Sequence, residues 1–149
     1  MKKLSMIVSI LLVAVLALGM VGCSTYPSLE KAFENEGYAV VEDVDKYVEG
    51  YKQQAEKDDI VLTPHVWAKA DGLASTVVII LEFNATEDMK KMYEESDTIK
   101  GFISDVSKND DVKEWQKAME EAGYAKGNCL VFTINPLSLN AVTNIVKNA

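Results

Sequence analysis

The stretch IVLTPHVWAKADGLASTVVIILEF, residues 60–83, decides the architecture of this chain. Two runs rich in β-branched and aromatic residues, Ile60–Ala70 and Ala74–Phe83, flank the tight-turn pair Asp71-Gly72, so the segment reads as a β-hairpin. With Asp71-Gly72 as a two-residue loop, Ala70 faces Leu73 and Trp67 faces Thr76. Side chains on a strand alternate between two faces. Ile60, Leu62, Val66 and Ala68 share one face with Val77, Ile79, Leu81 and Phe83, a set that is plainly core. Val61, Thr63, His65, Trp67 and Lys69 share the other with Thr76, Val78, Ile80 and Glu82, a mixed set. Pro64 cannot donate to a strand ladder, which places it on an edge strand or at a break.

Working outward, the apolar positions switch to helical spacing. Pro27-Ser28-Leu29 starts a helix with Leu29, Ala32 and Phe33 on one side, ended by Gly37, and Tyr38–Val41 follows as a short strand. Asp43 reads as the cap of a second helix carrying Val44, Tyr47, Val48, Tyr51 and Ala55, interrupted by Gly50. Thr86 begins a long helix in which Met89, Met92, Tyr93, Ile99, Phe102, Ile103 and Val106 fall on one face, with Gly101 as a point of bending. Asp111 and Glu114 form a capping box for a helix with Trp115, Ala118, Met119 and Ala122, closed by Gly123. Cys129–Ile134 is a last strand, stopped by Asn135-Pro136. A final helix from Ser138 carries Ala141, Val142, Ile145 and Val146. The sum is an α+β domain with an antiparallel or mixed sheet of about four strands, packed by about five helices. This order resembles a ferredoxin-like arrangement without matching it cleanly.

Leu29–Ala39 aligns without gaps on Trp115–Ala125, with six of 11 positions identical. Both segments read as helix, glycine cap, tyrosine, strand. Either the domain holds two related helix–strand units on a common sheet, or any amphipathic helix closed by glycine looks this way.

The chain has 149 residues, 15 lysines and 23 acids, and no arginine. A basic patch for nucleic acid, a bidentate phosphate clamp and adsorption to anionic lipid are all disfavoured by that balance. Chemistry is also sparse. His65 is the one histidine and no nucleophile elbow surrounds any serine, so a hydrolytic triad has no parts beyond a Cys129/His65 pair of strand residues. One histidine and one free cysteine make no zinc set. Asp43, Asp45 and Glu49 lack the glycine and spacing of a calcium loop. No cofactor and no metal are expected. Cys129 opens the apolar run Cys129–Phe132 and reads as a buried, inert thiol. Met89, Met92 and Met119 read as core filler, and Asn84-Ala-Thr86 as a strand end and helix start.

The first residues carry the most specific signal. Lys2 and Lys3 precede an apolar run, Leu4–Val21, that ends in Met20-Val21-Gly22-Cys23. A positive start, an apolar segment and a small-residue cleavage site are the marks of an export signal. The segment resembles the signal peptide of bacterial lipoproteins, whose lipobox ends in Gly/Ala-Cys, with Met20 standing where leucine is usual. The resemblance implies a diacylglyceryl group on the Cys23 sulfur and cleavage between Gly22 and Cys23. An uncleaved membrane helix is the alternative, since 18 residues can just span a bilayer, but Cys23–Pro27 supplies no charged flank. Residues 1–22 are then a signal, 23–27 a lipidated tether, and 28–149 one domain. Removal of 1–22 takes away two lysines and no acid, leaving 13 against 23, a formal side-chain charge of −10. The remainder also resembles, in a general way, the small lipoproteins common in bacteria, a likeness that carries no activity.

These readings point to a binding or scaffolding domain held by its lipid at the outer face of the cytoplasmic membrane, with an envelope protein as partner. Val61, Thr63, His65, Trp67, Val78 and Ile80 form the candidate partner-binding face if helices cover only the opposite side of the hairpin. If a helix covers this side too, Trp67 is core. Two further functions stay open: an envelope hydrolase using paired carboxylates, and a small-ligand sensor or carrier with an enclosed apolar pocket.

Overall fold

The hairpin forms the middle of an open, five-stranded antiparallel sheet. A computed structural model describes residues 25–72, 74–103, 106 and 108–149. In chain order the elements are α1 (Tyr26–Asn35), β1 (Ala39–Val40), α2 (Asp45–Lys57), β2 (Leu62–Asp71), β3 (Ala74–Phe83), α3 (Thr86–Glu95), α4 (Asp97–Phe102), α5 (Val112–Ala122), β4 (Ala125–Lys126), β5 (Cys129–Thr133), a 3-10 turn (Pro136–Ser138) and α6 (Leu139–Asn148). The sheet order is β1-β2-β3-β5-β4 and every neighbouring pair is antiparallel. The α+β class expected from the sequence is the class observed. Five strands in the order β1-β2-β3-β5-β4 do not by themselves establish the ferredoxin-like arrangement.

The hairpin closes one residue later than expected. Asp71 pairs with Ala74 and Trp67 with Val78, and Gly72 opens the loop at φ 66°. Glycine adopts this left-handed conformation without steric cost, as the first position of a primed hairpin turn requires. Moving the turn by one residue slides the register by two, so every side chain keeps its expected face. Pro64 lies opposite Leu81, in the part of β2 beyond the short β1, where no ladder bond is missed.

Helices cover both faces. On one, Val48, Tyr51 and Ala55 of α2, Met89, Met92 and Tyr93 of α3, Ile99 of α4, and Trp115 and Met119 of α5 pack on Val66, Val77, Ile79, Leu81, Leu130 and Phe132. On the other, Leu29 and Phe33 of α1 and Val142 and Val146 of α6 pack on Trp67, Val78, Ile80, Cys129 and Val131. The result is three layers with two apolar cores sharing one sheet.

Several boundaries differ from the sequence reading for local reasons. The long helix from Thr86 breaks at Ser96, whose backbone is extended (φ −97°, ψ 103°) and whose hydroxyl accepts the Ile99 N–H at 3.2 Å, capping α4 afresh. Gly101 lies inside α4, five residues past that break. Asp43 does not cap α2, which follows Val44 with no side-chain cap bond. The capping box of α5 is half formed: Asp111 Oδ1 accepts from Lys113 N and Glu114 N at 3.0 Å each, and the Asp111 N–H goes to Asn109 Oδ1. β4 was expected only through the echo of the first helix–strand segment.

That echo is matched in geometry. Gly37 and Gly123 both stand at φ 84°. Tyr38 N donates to Phe33 O at 3.0 Å and Tyr124 N to Met119 O at 2.9 Å, while each glycine N–H donates to the carbonyl three residues earlier. Both are Schellman closures, in which a left-handed residue satisfies the last helical carbonyls. Each leads into a two-residue edge strand, β1 at one border of the sheet and β4 at the other. The antiparallel ladder makes β1 and β4 run in the same direction as β3, and α1 and α5 lie on opposite faces. A half-turn about β3 therefore exchanges the two units in topology.

Candidate functional site

The six residues expected to form a partner face do not form one. Trp67 is 1 % exposed, and Val78 and Ile80 are fully buried beneath α1 and α6. The condition for a patch, helices on one side only, is not met, and buried side chains present nothing to a partner. The sequence did carry the sign: Val77–Leu81 and Cys129–Phe132 are unbroken apolar runs, the pattern of strands covered on both sides. Val61, 58 % exposed, and Thr63 remain at the surface, at the start of β2. His65 is half-buried between these two groups.

His65 belongs to a polar cluster at that end of the sheet. Its Nε2 lies 3.0 Å from Glu82 Oε2 on the neighbouring strand. The Tyr26 ring stacks on the imidazole, centroids 3.5 Å apart and planes 11° apart. The Tyr26 hydroxyl accepts the Trp67 indole N–H at 3.3 Å, and burial, the largest cause, raises its own pKa. Cys129 stands opposite Glu82 on β5. The first residue of α1 thus closes over the one histidine, and the polar groups are spent on one another.

Cys129 and His65 do not make a nucleophile–base pair. The imidazole is engaged by Glu82, and burial pushes the Cys129 thiol up to about 12, with Thr25 hydrogen bonding opposing this and the Glu82 charge adding to it. A thiol so placed stays protonated, and the protonated form is a poor nucleophile. The folded pKa lies above the unfolded value of 9.0, so this group's contribution to stability is complete below pH 9.0 and is lost as pH rises from there toward about 12. Two outcomes are expected. Iodoacetamide at pH 8 leaves Cys129 unmodified in the native protein and labels it after unfolding, as read by peptide mass. The fall in urea midpoint above pH 9 is shallower in Cys129→Ala, with a residual slope from Tyr26 and Tyr51, whose pKa values burial also raises.

Thr25 is locked to the β4–β5 turn. Its hydroxyl donates to the Lys126 carbonyl at 2.8 Å, its N–H points at Asn128 Oδ1 at 3.4 Å, and Cys129 Sγ lies 3.9 Å from its Oγ1. Asn128 Nδ2 donates in turn to Phe83 O at 2.6 Å, tying the same knot to β3. Gly127, at φ 54°, makes room for it: a Cβ there would stand 2.4 Å from Thr25 Oγ1. Nothing local marks this lock in the sequence, because Thr25 reads there as part of the tether. It also moves a boundary. Thr25, Tyr26 and Pro27 belong to the described fold, where a free tether through Pro27 was expected. Gly22 and Cys23 lie outside the described residues.

Open grooves lie among the described residues. One of about 460 Å³ runs between α1 and α6 over Tyr38 and Lys69, bordered by Asn35 and Asn144, and is open to solvent. Another of about 500 Å³ lies beside Thr25, Lys126 and Lys147 and includes Glu120 and Glu121. Glu120 is committed to structure there, accepting the Gly127 N–H at 2.8 Å and the Gln116 amide at 3.3 Å. Among the described residues no group of three or more His, Cys, Asp or Glu side chains could hold a metal ion. No protein-family model, curated protein or solved structure matches this chain.

Proposed function

We propose that this chain is a lipoprotein, anchored through Cys23 at the outer face of the cytoplasmic membrane, whose domain works by binding or scaffolding an envelope partner. One observation supports the anchor above the rest. Thr25, two residues after the lipobox cysteine, is already hydrogen-bonded to Lys126, so only Ser24 stands between that cysteine and the described fold. A chain cut before Cys23 would keep every described residue of the domain. Two acyl chains hold a protein stably at a bilayer, with about 0.8 kcal/mol per buried CH2, so a domain of formal charge −10 needs no affinity of its own for lipid. Among the described residues no helix is long and apolar enough to cross a membrane, and the lipid would be the means of attachment.

The test is the intact mass of the protein extracted from bacterial membranes. The expected mass lacks residues 1–22 and carries a diacylglyceryl increment on Cys23. Cys23→Ala is expected to abolish both changes together. An unmodified full-length mass in the wild type overturns the reading.

A further inference from the structure

We infer that the end of the sheet carrying Val61, Asn84 and the Lys126–Asn128 turn faces the lipid surface, and that the end carrying the Asp71↔Ala74 closure and Leu137 faces away. This rests on the proposed anchor at Cys23 and says which surface of the domain that anchor holds against the bilayer.

The argument is one of leash length and lock. Two residue steps separate Cys23 from Thr25, a span of about 7 Å at most. Thr25 has no freedom to extend it, being hydrogen-bonded to Lys126 and Asn128. Slack further along is excluded as well, since α1 starts at Tyr26 and that side chain is stacked on His65. The lock lies at one extremity of the strands. Phe83 N donates to Asn128 O at 2.9 Å, and Phe83 pairs with Leu62, so Thr25, Asn128, Phe83 and Val61 share that end. Ten-residue strands put the Asp71↔Ala74 closure about 30 Å away. The Pro136–Ser138 turn belongs to that far region, because Ser138 Oγ meets Thr76 Oγ1 at 2.6 Å. A leash of about 7 Å cannot turn a body of about 30 Å end for end. Exposed apolar residues give matched reporters: Val61, 58 % exposed, at the near end, and Leu137, 93 % exposed, at the far end. Asp58, Asp59, Glu87 and Asp88 at the near end carry negative charge, so the lipid anchor and the Thr25 lock, rather than headgroup attraction, set the pose.

The experiment uses the full lipidated protein in phosphatidylcholine vesicles containing a headgroup spin-labelled lipid. A fluorophore is placed through Val61→Cys in one sample and Leu137→Cys in another, with the buried Cys129 unreactive in both. Quenching at position 61 is expected to exceed that at position 137 several-fold. Equal or reversed quenching, in protein whose mass carries the lipid, overturns the orientation and leaves the anchor standing. A mass without the lipid overturns both. Gly127→Ala, which drives a methyl into Thr25, is expected to narrow the contrast while vesicle sedimentation and helix content stay unchanged. A contrast that persists in this folded variant refutes the lock as its cause.

Discussion

Trp67→Ala will lower the unfolding free energy by about 3–5 kcal/mol, the usual cost of truncating a buried tryptophan. The side chain is 1 % exposed and lies in the core formed by α1, α6 and the second face of the hairpin. Its removal also leaves the Tyr26 hydroxyl without the indole donor at 3.3 Å. A domain of this size holds about 5–15 kcal/mol in total, so the variant should sit near the edge of folding. Trp67→Phe keeps most of the apolar volume and loses the N–H, and a cost of about 1–2 kcal/mol is expected. Urea midpoints with an unchanged slope would give both values. A loss below about 1 kcal/mol for Trp67→Ala would show that this face is not a packed core.

The two echoed glycines supply the second large effect and its own control. Gly37 and Gly123 share φ 84°, so alanine at either pays about 1–2 kcal/mol for left-handed geometry. The surroundings differ. A Cβ at Gly37 meets only Lys69 Cε, at 3.8 Å, whereas a Cβ at Gly123 would stand 2.5 Å from the Thr143 carbonyl oxygen. That oxygen belongs to the backbone of α6 and cannot swing aside. Gly37→Ala should therefore cost the dihedral penalty alone, and Gly123→Ala at least about 2 kcal/mol more as α5 and α6 are forced apart. Thermal or urea unfolding of the pair measures the difference. Equal losses would mean that the close approach of Thr143 to Gly123 does not exist in solution.

The hairpin was legible because period-two alternation and a turn glycine are local properties of the chain. The turn fell one residue from its expected place, yet the faces held, since a two-residue slip preserves side-chain direction. The caps at Gly37 and Gly123 were legible for the same local reason. Coverage was not. Whether Trp67 meets solvent depends on where α1 and α6 land, and α1 lies 32–41 residues before Trp67 and α6 more than 70 after it. The break at Ser96 was hidden because Met92, Tyr93 and Ile99 keep helical spacing through it. As for the candidate site, His65 and Glu82 could be placed on one sheet face from strand parity, whereas Cys129 joined them only through the pairing of β5 with β3. That the imidazole pairs with Glu82 and lies under Tyr26 follows from rotamers and helix docking, which parity does not encode.

The sheet ends at both borders in strands of only two residues, and Pro64 interrupts the donor row where β2 runs past β1. Long bare strand margins recruit one another into ribbons. If the chain is anchored as proposed, its copies would drift in a single plane and collide flank to flank far more often than molecules in bulk. Such stunted margins would let this domain reach high density on a cell surface without polymerising.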